Sequence, residues 1–426
     1  MLKKTAVNEV REPNAFLFYS TYFLARIYYR LVYGLIVDKS SISGIKPPFL
    51  VVASHSCWLD YLITGISMYP IRMNYVAAYN FFRDRFFKFL FNLMGVISKY
   101  QFTNDLTAVK KMKQVIDRGG VVSIFPNGCL SNDGRPGGFA VFGIAKLVRF
   151  LGVPVVAIKT DGGYLTRPRW TKRARHGRLE VRMSQILTAE DVKLLSEAEI
   201  YARVTGSIAF DDYKWQRERM IPYKGKRLAE GVEYVLFKCP KCRSEFTLRS
   251  KRNRLYCTAC GYAVRMNVYS FFEPESENTV FFDGIDKWYD YQKESVEIEI
   301  QNPAFKLTAK TELRCAEPGK YGYQHLGSGT VSLTREAVTY TGTVAGELRE
   351  LVLPMRNIIM VPYAAGEYIE ISKGPDVNRF IFEDPRQQIK WVMAVRQIRD
   401  KYYEGEGESE DDQEGRSICK DSIRLR

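Results

Sequence analysis

Between residues 45 and 187 short apolar runs alternate with helix-like stretches. FLVVAS (49–54), NYVAAY (74–79), GVVSIFP (120–126), VPVVAIKT (153–160) and RLEVRMS (178–184) read as strands. Residues 58–67, 81–94, 104–118 and 139–151 read as helices. Strands that alternate with helices predict an α/β layered domain, with sites forming at the carboxyl ends of the strands. At 426 residues the chain has room for two or three cores.

One of only three histidines in the chain, His55, directly follows the first of these strands in VVASHSCWLDY (51–61). Asp60 lies five positions on, in the first turn of the next helix. At that spacing the carboxylate can hold one ring nitrogen as an N–H donor and leave the other free as a base. This is the histidine–aspartate half of a triad, so the nucleophile must come from the substrate, for example an acceptor hydroxyl. The structural alternative is a histidine capping a helix beside a solvated aspartate. The second feature is GGVVSIFPNGCLSNDGRPGGF (119–139), where a strand ends in FPNG and a polar, glycine-rich loop follows. Gly128 permits positive φ, and such turns aim backbone N–H groups into a concavity that suits an oxyanion or phosphate. Gly134, Gly137 and Gly138 allow close backbone approach.

The two motifs stand about 70 residues apart. Together they resemble the glycerol-phosphate and lysophosphatidate acyltransferase family, which carries NHxSxxD and then FPEGTRS. SHSCWLD supplies His55 and Asp60, with Ser54 where Asn is usual and Cys57 where Ser is usual. FPNGCLS matches at Phe125, Pro126, Gly128 and Ser131, but Asn127 stands for the glutamate and Leu130 for the arginine. VPVVAI (153–158) resembles the fourth block, and the second block has Gly95 followed by Gln101 in place of arginine. The resemblance covers roughly residues 20–210. It implies that His55 is a general base oriented by Asp60, and that Phe125, Pro126, Asn127, Gly128 and Ser131 belong to a substrate loop. The absent arginines would normally hold an acceptor phosphate, a role for which arginine forms strong bidentate contacts. Lys99, Arg135 and Arg72 are the candidates to replace them, and an acceptor without a phosphate is the equal alternative. The expected activity is transfer of a fatty acyl group from acyl-coenzyme A or acyl carrier protein to a hydroxyl of a lysophospholipid or related glycerolipid. The alternative is a non-catalytic lipid- or protein-binding scaffold that keeps this fold.

The formal net charge is +15, although EGEGESEDDQE (404–414) carries seven acids and no base. A basic body predicts an anionic partner. YLTRPRWTKRARHGRLEVR (164–182) concentrates seven permanent bases that suit anionic headgroups, coenzyme A phosphates or an acidic carrier protein, or else form a solvated loop. No nucleic-acid reader motif accompanies the charge, so nucleic acid is not an expected partner. The opening MLKKTAVNEVREPNAF lacks the apolar core of a signal peptide. AFLFYSTYFLARIYYRLVYGLIV (15–37) is aromatic-rich, with Arg26 and Arg30 in its middle. It predicts a helix lying in a membrane interface on the cytoplasmic face, or one packed on the soluble domain.

Of eight cysteines, Cys239, Cys242, Cys257 and Cys260 form C-x2-C-x14-C-x2-C. Two thiolate pairs on tight turns fit tetrahedral zinc. The stretch resembles a zinc ribbon, with Gly261 in the second knuckle and Arg243 in the glycine place of the first. Four cysteines leave no open coordination position, so the role is structural. A rubredoxin-like iron site and two disulfides are the lesser readings. The scattered Cys57, Cys129, Cys315 and Cys419 fit a reduced setting better than a disulfide framework. DKWYDYQKE (286–294) reads as a short helix. Seven strands follow, at 306–316, 329–334, 337–342, 347–354, 357–363, 367–372 and 379–383, and then an amphipathic helix, 385–403. That order resembles a pleckstrin-homology-like sandwich, a module that binds lipid headgroups or proteins. The expected organisation is an interfacial helix (1–40), the α/β domain (41–215), a zinc ribbon (232–270) that can also take a protein partner, a mostly β sandwich with a C-terminal helix (295–403), and a disordered tail (404–426).

Overall fold

The computed structural model describes residues 9–101, 105–137, 143–276, 280–316, 321–373 and 376–403. The first eight residues, Gly138, the start of the helix expected at 139–151 and the acidic tail from residue 404 lie outside them. The chain divides into two compact units, Met1–Gly225 and Lys226–Arg426.

In the first unit the described residues form a seven-stranded sheet. Its strands are β1 (Ile36–Ser41), β2 (Phe49–Ala53), β3 (Asn74–Ala78), β4 (Ile97–Lys99), β5 (Val121–Ile124), β6 (Val155–Asp161) and β7 (Glu180–Leu187). They run in the order β1-β7-β6-β2-β5-β3-β4. Only β6 and β7 pair antiparallel. The helices are α1 (Ala15–Val32), α2 (Asp60–Met68), α3 (Arg85–Leu93), α4 (Leu106–Asp117), α5 (Gly143–Leu151), α6 (Gly163–Thr166), α7 (Ala189–Leu194), α8 (Glu197–Ile208) and α9 (Asp212–Arg219). The edge strands β1 and β4 were not legible as strands, because both are short and partly polar.

Strand β2 is central and buried throughout. Its side chains alternate, as strand geometry requires. Leu50 and Val52 enter one core with Met112 and Val115 of α4, Val148 of α5 and Val204 of α8. Phe49, Val51 and Ala53 enter the other with Phe18, Tyr22 and Tyr29 of α1 and Ile63 and Ile66 of α2. The sheet is therefore the middle of three layers, in agreement with the α/β expectation.

Helix α1 begins at Asn14, whose side chain accepts from the Leu17 amide at 3.0 Å. One face packs on α2, where Gly65 makes room for the Tyr22 ring. A Cβ at Gly65 would sit 2.0 Å from Tyr22 Cε1. The opposite face leaves Phe16, Phe23, Leu24, Ile27 and Leu31 exposed, Leu31 by 80%. The helix thus packs on the domain and also carries an uncovered apolar stripe. Among the described residues no helix is long and apolar enough to cross a membrane.

The second unit opens with a four-stranded antiparallel sheet, β8 (Leu248–Lys251), β9 (Arg254–Cys257), β10 (Ala263–Met266) and β11 (Phe272–Pro274). Helix α10 (Ile285–Glu299) extends the expected short helix, 286–294, at both ends. A second seven-stranded antiparallel sheet follows: β12 (Leu307–Cys315), β13 (Gln324–Leu333), β14 (Ala337–Val344), β15 (Glu347–Pro354), β16 (Tyr363–Ala364), β17 (Tyr368–Lys373) and β18 (Asp376–Phe382). Its order is β15-β14-β13-β12-β18-β17-β16, and α11 (Gln388–Tyr402) closes the unit. The strand expected over 357–363 is a correction. Only Tyr363–Ala364 pairs, at the sheet edge. Ile358 and Val361 are apolar because they sink into the core from an irregular segment, and Pro362 lacks the N–H a ladder needs.

Ribbon and sandwich share one core. Phe237 packs with Ile389, Trp391 and Val296, and Phe246 stacks on Phe237 at 5.7 Å. Lys390, buried in α11, bonds Glu245 of the ribbon at 2.7 Å and Glu299 of α10 at 2.6 Å. Gln292 accepts from the Lys238 amide at 3.0 Å, and Trp288 donates to the Lys238 carbonyl at 2.9 Å. Of the scattered cysteines, Cys57 and Cys129 are free thiols. Cys315 is disulfide-bonded.

Candidate active site and metal centre

His55 sits where β2 ends and Asp60 opens α2. Asp60 is buried and gathers the turn around itself. Its Oδ2 accepts from the backbone N–H of Ser56 at 2.6 Å and of Cys57 at 2.9 Å. Its Oδ1 accepts from the Ser56 hydroxyl at 3.1 Å and the Cys57 thiol at 3.4 Å. His55 Nδ1 lies 3.0 Å from Oδ2. A carboxylate acceptor at Nδ1 places the proton there and leaves the Nε2 lone pair outward, on a side chain that is 24% exposed. Four donors besides His55 hold the carboxylate, so the pair is fixed rather than incidental. Burial pushes the Cys57 thiol up, and the Asp60 charge beside it acts the same way, so Cys57 is a neutral donor.

The second motif reaches the same place because β5 pairs with β2 in parallel, and both end on the same side. Phe125 stacks on the His55 ring at 4.6 Å and 28°. Gly128 adopts φ +64°, which favours glycine. Pro126 and Asn127 are buried behind it. Ser131 is fully buried and works inside the loop, donating to the Arg135 carbonyl and accepting from the Gly134 amide at 2.9 Å.

Two neutral replacements for the family's arginines have visible partners. Gln101 donates to the Gly128 carbonyl at 3.0 Å and so braces the motif loop. Leu130 is buried, and Arg169 reaches its carbonyl at 3.1 Å and the Asn132 side chain at 2.8 Å. The three cations expected to compensate are engaged. Arg135 pairs with Asp133, and Arg72 pairs with Glu12 at 2.9 Å and with the Pro13 carbonyl. Lys99, on the edge strand β4, donates to the Tyr100 carbonyl at 3.0 Å, and its ammonium pKa is lowered by burial against the opposing pull of Asp105. The basic stretch 164–182 does not form one face. Arg175 is buried over the Trp170 ring, Arg178 pairs with Glu180, and His176 stacks on Tyr33. Sequence reasoning missed Ser56, Gln101 and Arg169. Only Gln101 left a signal, as a polar residue where an arginine was expected.

Residues 36–160, from β1 through β6 with both motifs inside, match the protein-family model described as Acyltransferase. The match is to this stretch alone. A search of the curated proteins gave no match. Among solved structures, the 1-acyl-sn-glycerophosphate (LPA) acyltransferase PlsC of Thermotoga maritima aligns with a TM-score of 0.40 and 14% identity, over 48% of this chain and 80% of that one. The N-terminal PH domain of human ARAP2 aligns with a TM-score of 0.18 and 13% identity, over 24% of this chain and 88% of that one. Within the matched stretch the dyad predicts a double effect of Asp60→Asn. An amide offers one acceptor oxygen where the carboxylate uses two, and it turns an N–H2 toward donors. Unfolding free energy should drop by about 1–3 kcal/mol in urea titration. The rate should fall roughly 10²–10⁴-fold as His55 loses its oriented tautomer.

The second unit carries the cysteine cluster. The Sγ atoms of Cys239, Cys242, Cys257 and Cys260 all lie within 4.8 Å of one another. Cys239 and Cys260 are 3.8 Å apart, and Cys242 and Cys257 are 3.7 Å apart. Tetrahedral zinc with Zn–S near 2.3 Å requires S–S separations of about 3.8 Å. Each knuckle closes the same way. The Cys239 carbonyl accepts from Arg243 N at 3.0 Å, and the Cys257 carbonyl from Gly261 N at 3.1 Å. Arg243 takes φ +62° and Gly261 φ +70°. The four thiols fit a metal ion, and among the described residues this is the one group of three or more metal-binding side chains so placed.

Proposed function

We propose that this protein is a membrane-associated O-acyltransferase that moves a fatty acyl group from acyl-coenzyme A or acyl carrier protein to a hydroxyl of a lysophospholipid or related glycerolipid. The observation that carries the reading is the His55 ring, fixed through Nδ1 by a buried, fully bonded Asp60, with Nε2 left outward. Nε2 takes the proton of the acceptor hydroxyl. The oxygen attacks the thioester carbonyl carbon, the C–S bond breaks, and the departing thiolate takes the proton back from Nε2. Asp60 keeps its charge throughout and steadies the imidazolium. Phe125 limits ring rotation, and the Gly128 turn forms the neighbouring wall.

The apolar stripe of α1 supports an interfacial location on the cytoplasmic face of the membrane. Phe86 and Phe89 on α3 and Trp58 beside the site are exposed in the same unit. A basic protein with such a surface suits an anionic bilayer. Replacing Phe23, Leu24 and Leu31 together by serine should weaken vesicle binding by at least about tenfold in a flotation assay, since each exposed apolar side chain contributes roughly 1 kcal/mol or more on burial. Equal flotation would remove this helix from the interface. The cysteine cluster is read as structural zinc, because four thiolates leave no position for substrate.

The acceptor and donor are tested by mass spectrometry of products from acyl-coenzyme A or acyl carrier protein with a panel of lysolipids. A new ester with one acceptor class identifies the substrate. No ester with any acceptor, from folded protein, moves the assignment to a lipid- or protein-binding scaffold.

A further inference from the structure

We propose that Arg167 is the phosphate anchor of the site, binding a phosphoryl group of a substrate whose reacting atom lies at His55. This rests on the acyltransferase reading and deepens it. Arg167 directly follows α6, which is pinned to the histidine turn. Gly163 abuts Ser56 so closely that a Cβ there would sit 2.2 Å from Ser56 Oγ. The buried Asp212 fixes this turn by accepting from the Gly162 amide at 3.0 Å and the Tyr164 amide at 2.8 Å. Arg167 N donates to the Gly163 carbonyl at 3.2 Å, so the backbone that carries the side chain is fixed.

The guanidinium itself is different. Its Nε is buried, and among the described residues it has no hydrogen-bond partner and no ion pair. Burial raises the Tyr61 and Tyr33 phenols, and the Arg167 charge opposes that rise in both. Tyr61 follows Asp60 at the start of α2. The free cation therefore stands at the start of α2, the helix that Asp60 opens. Arg72, Lys99, Arg135 and Arg169, the other bases named around the two motifs, already have partners. Buried donors in native structures are normally satisfied, and an unpaired buried charge is costly. A guanidinium fork matches the geometry of a phosphate. Tyr61, on which the Arg167 charge acts, is exposed, and it gives an apolar surface for the chain of an amphipathic acceptor whose phosphate rests on Arg167.

Two substrates can bring the phosphate: a lysolipid phosphomonoester, or the coenzyme A of the donor. The test uses the full chain, wild type, Arg167→Gln and Arg167→Lys. Binding of glycerol 3-phosphate is read by calorimetry with glycerol as control, and steady-state KM is read for each substrate. The expected result is a rise of about 10–100-fold in one phosphate-dependent KM for Arg167→Gln, with kcat nearly kept and partial recovery in Arg167→Lys. A rise for lysophosphatidate but not monoacylglycerol identifies the acceptor as the source. A rise for acyl-coenzyme A but not acyl-pantetheine identifies the donor. Unchanged KM for every phosphate-bearing substrate overturns the proposal, and so does loss of kcat alone. If no acceptor turns over, glycerol 3-phosphate binding that Arg167→Gln abolishes keeps the phosphate site and rejects only the enzymatic reading. Binding equal in wild type and variant rejects the site.

Discussion

Alanine at His55 should lower kcat roughly 10²–10⁴-fold, the span general-base assistance supplies, while leaving the fold intact. The side chain is partly exposed, and its Nδ1 bond to Asp60 is one of five the carboxylate accepts. Removing it leaves Ser56 and Cys57 to hold Asp60 in place, so the buried charge is not stranded. Unfolding should change by less than about 1 kcal/mol, within the range of partly exposed substitutions away from the core. Circular dichroism melts on the same preparations separate the two effects. A large fall in rate together with a collapsed melting transition would make His55 structural and leave the base unassigned.

Removal of a metal ion held by the four cysteines should unfold far more than the ribbon. Structural zinc binding is worth on the order of 10 kcal/mol, comparable with the whole stability of a domain. The knuckle at Cys239–Cys242 runs straight into Glu245 and Phe246. Glu245 holds Lys390, Phe246 stacks on Phe237, and the Phe246 carbonyl accepts from Arg386 at 2.7 Å. Breaking the knuckle leaves the buried Lys390 charge with fewer partners inside the sandwich, which is strongly destabilising. Chelation, or Cys239→Ser with Cys257→Ser, should therefore abolish hydrogen-exchange protection in β8–β10 and also in β12, β18 and α11. The sheet β1–β7 serves as the internal control. Release of one zinc per chain with β12 and β18 still protected would show two independent folding units and contradict this reading.

Much of this architecture was legible in the sequence for identifiable reasons. Most of the first sheet's strands are apolar runs in the sequence, with β2 buried throughout and β7 alternating, and their alternation with helices is the signature of a layered fold. His55 and Asp60 were legible because they belong to one local turn, and the four cysteines because knuckle spacing is local too. What failed was non-local. Residues 357–363 look like a strand because Ile358 and Val361 are buried, yet they are buried without a ladder. The short edge strands β1 and β4 are defined by neighbours that sequence does not place. The replacements for the missing arginines fall in the same class. Gln101 reaches Gly128, and Arg169 reaches Leu130, only because the sheet order brings distant segments together. Arg167 carried no signal beyond its charge. What marks it out is the lack of a partner among the described residues, a property that only three dimensions reveal.

The most direct measurement counts free thiol and new ester in the same reaction, with wild type and His55→Ala side by side on an acyl thioester and a lysolipid acceptor. The expected result is one thiol released per ester formed in the wild type, and neither product above background in the variant. Thiol release without ester, or equal turnover in the two proteins, would contradict acyl transfer by a His55 base.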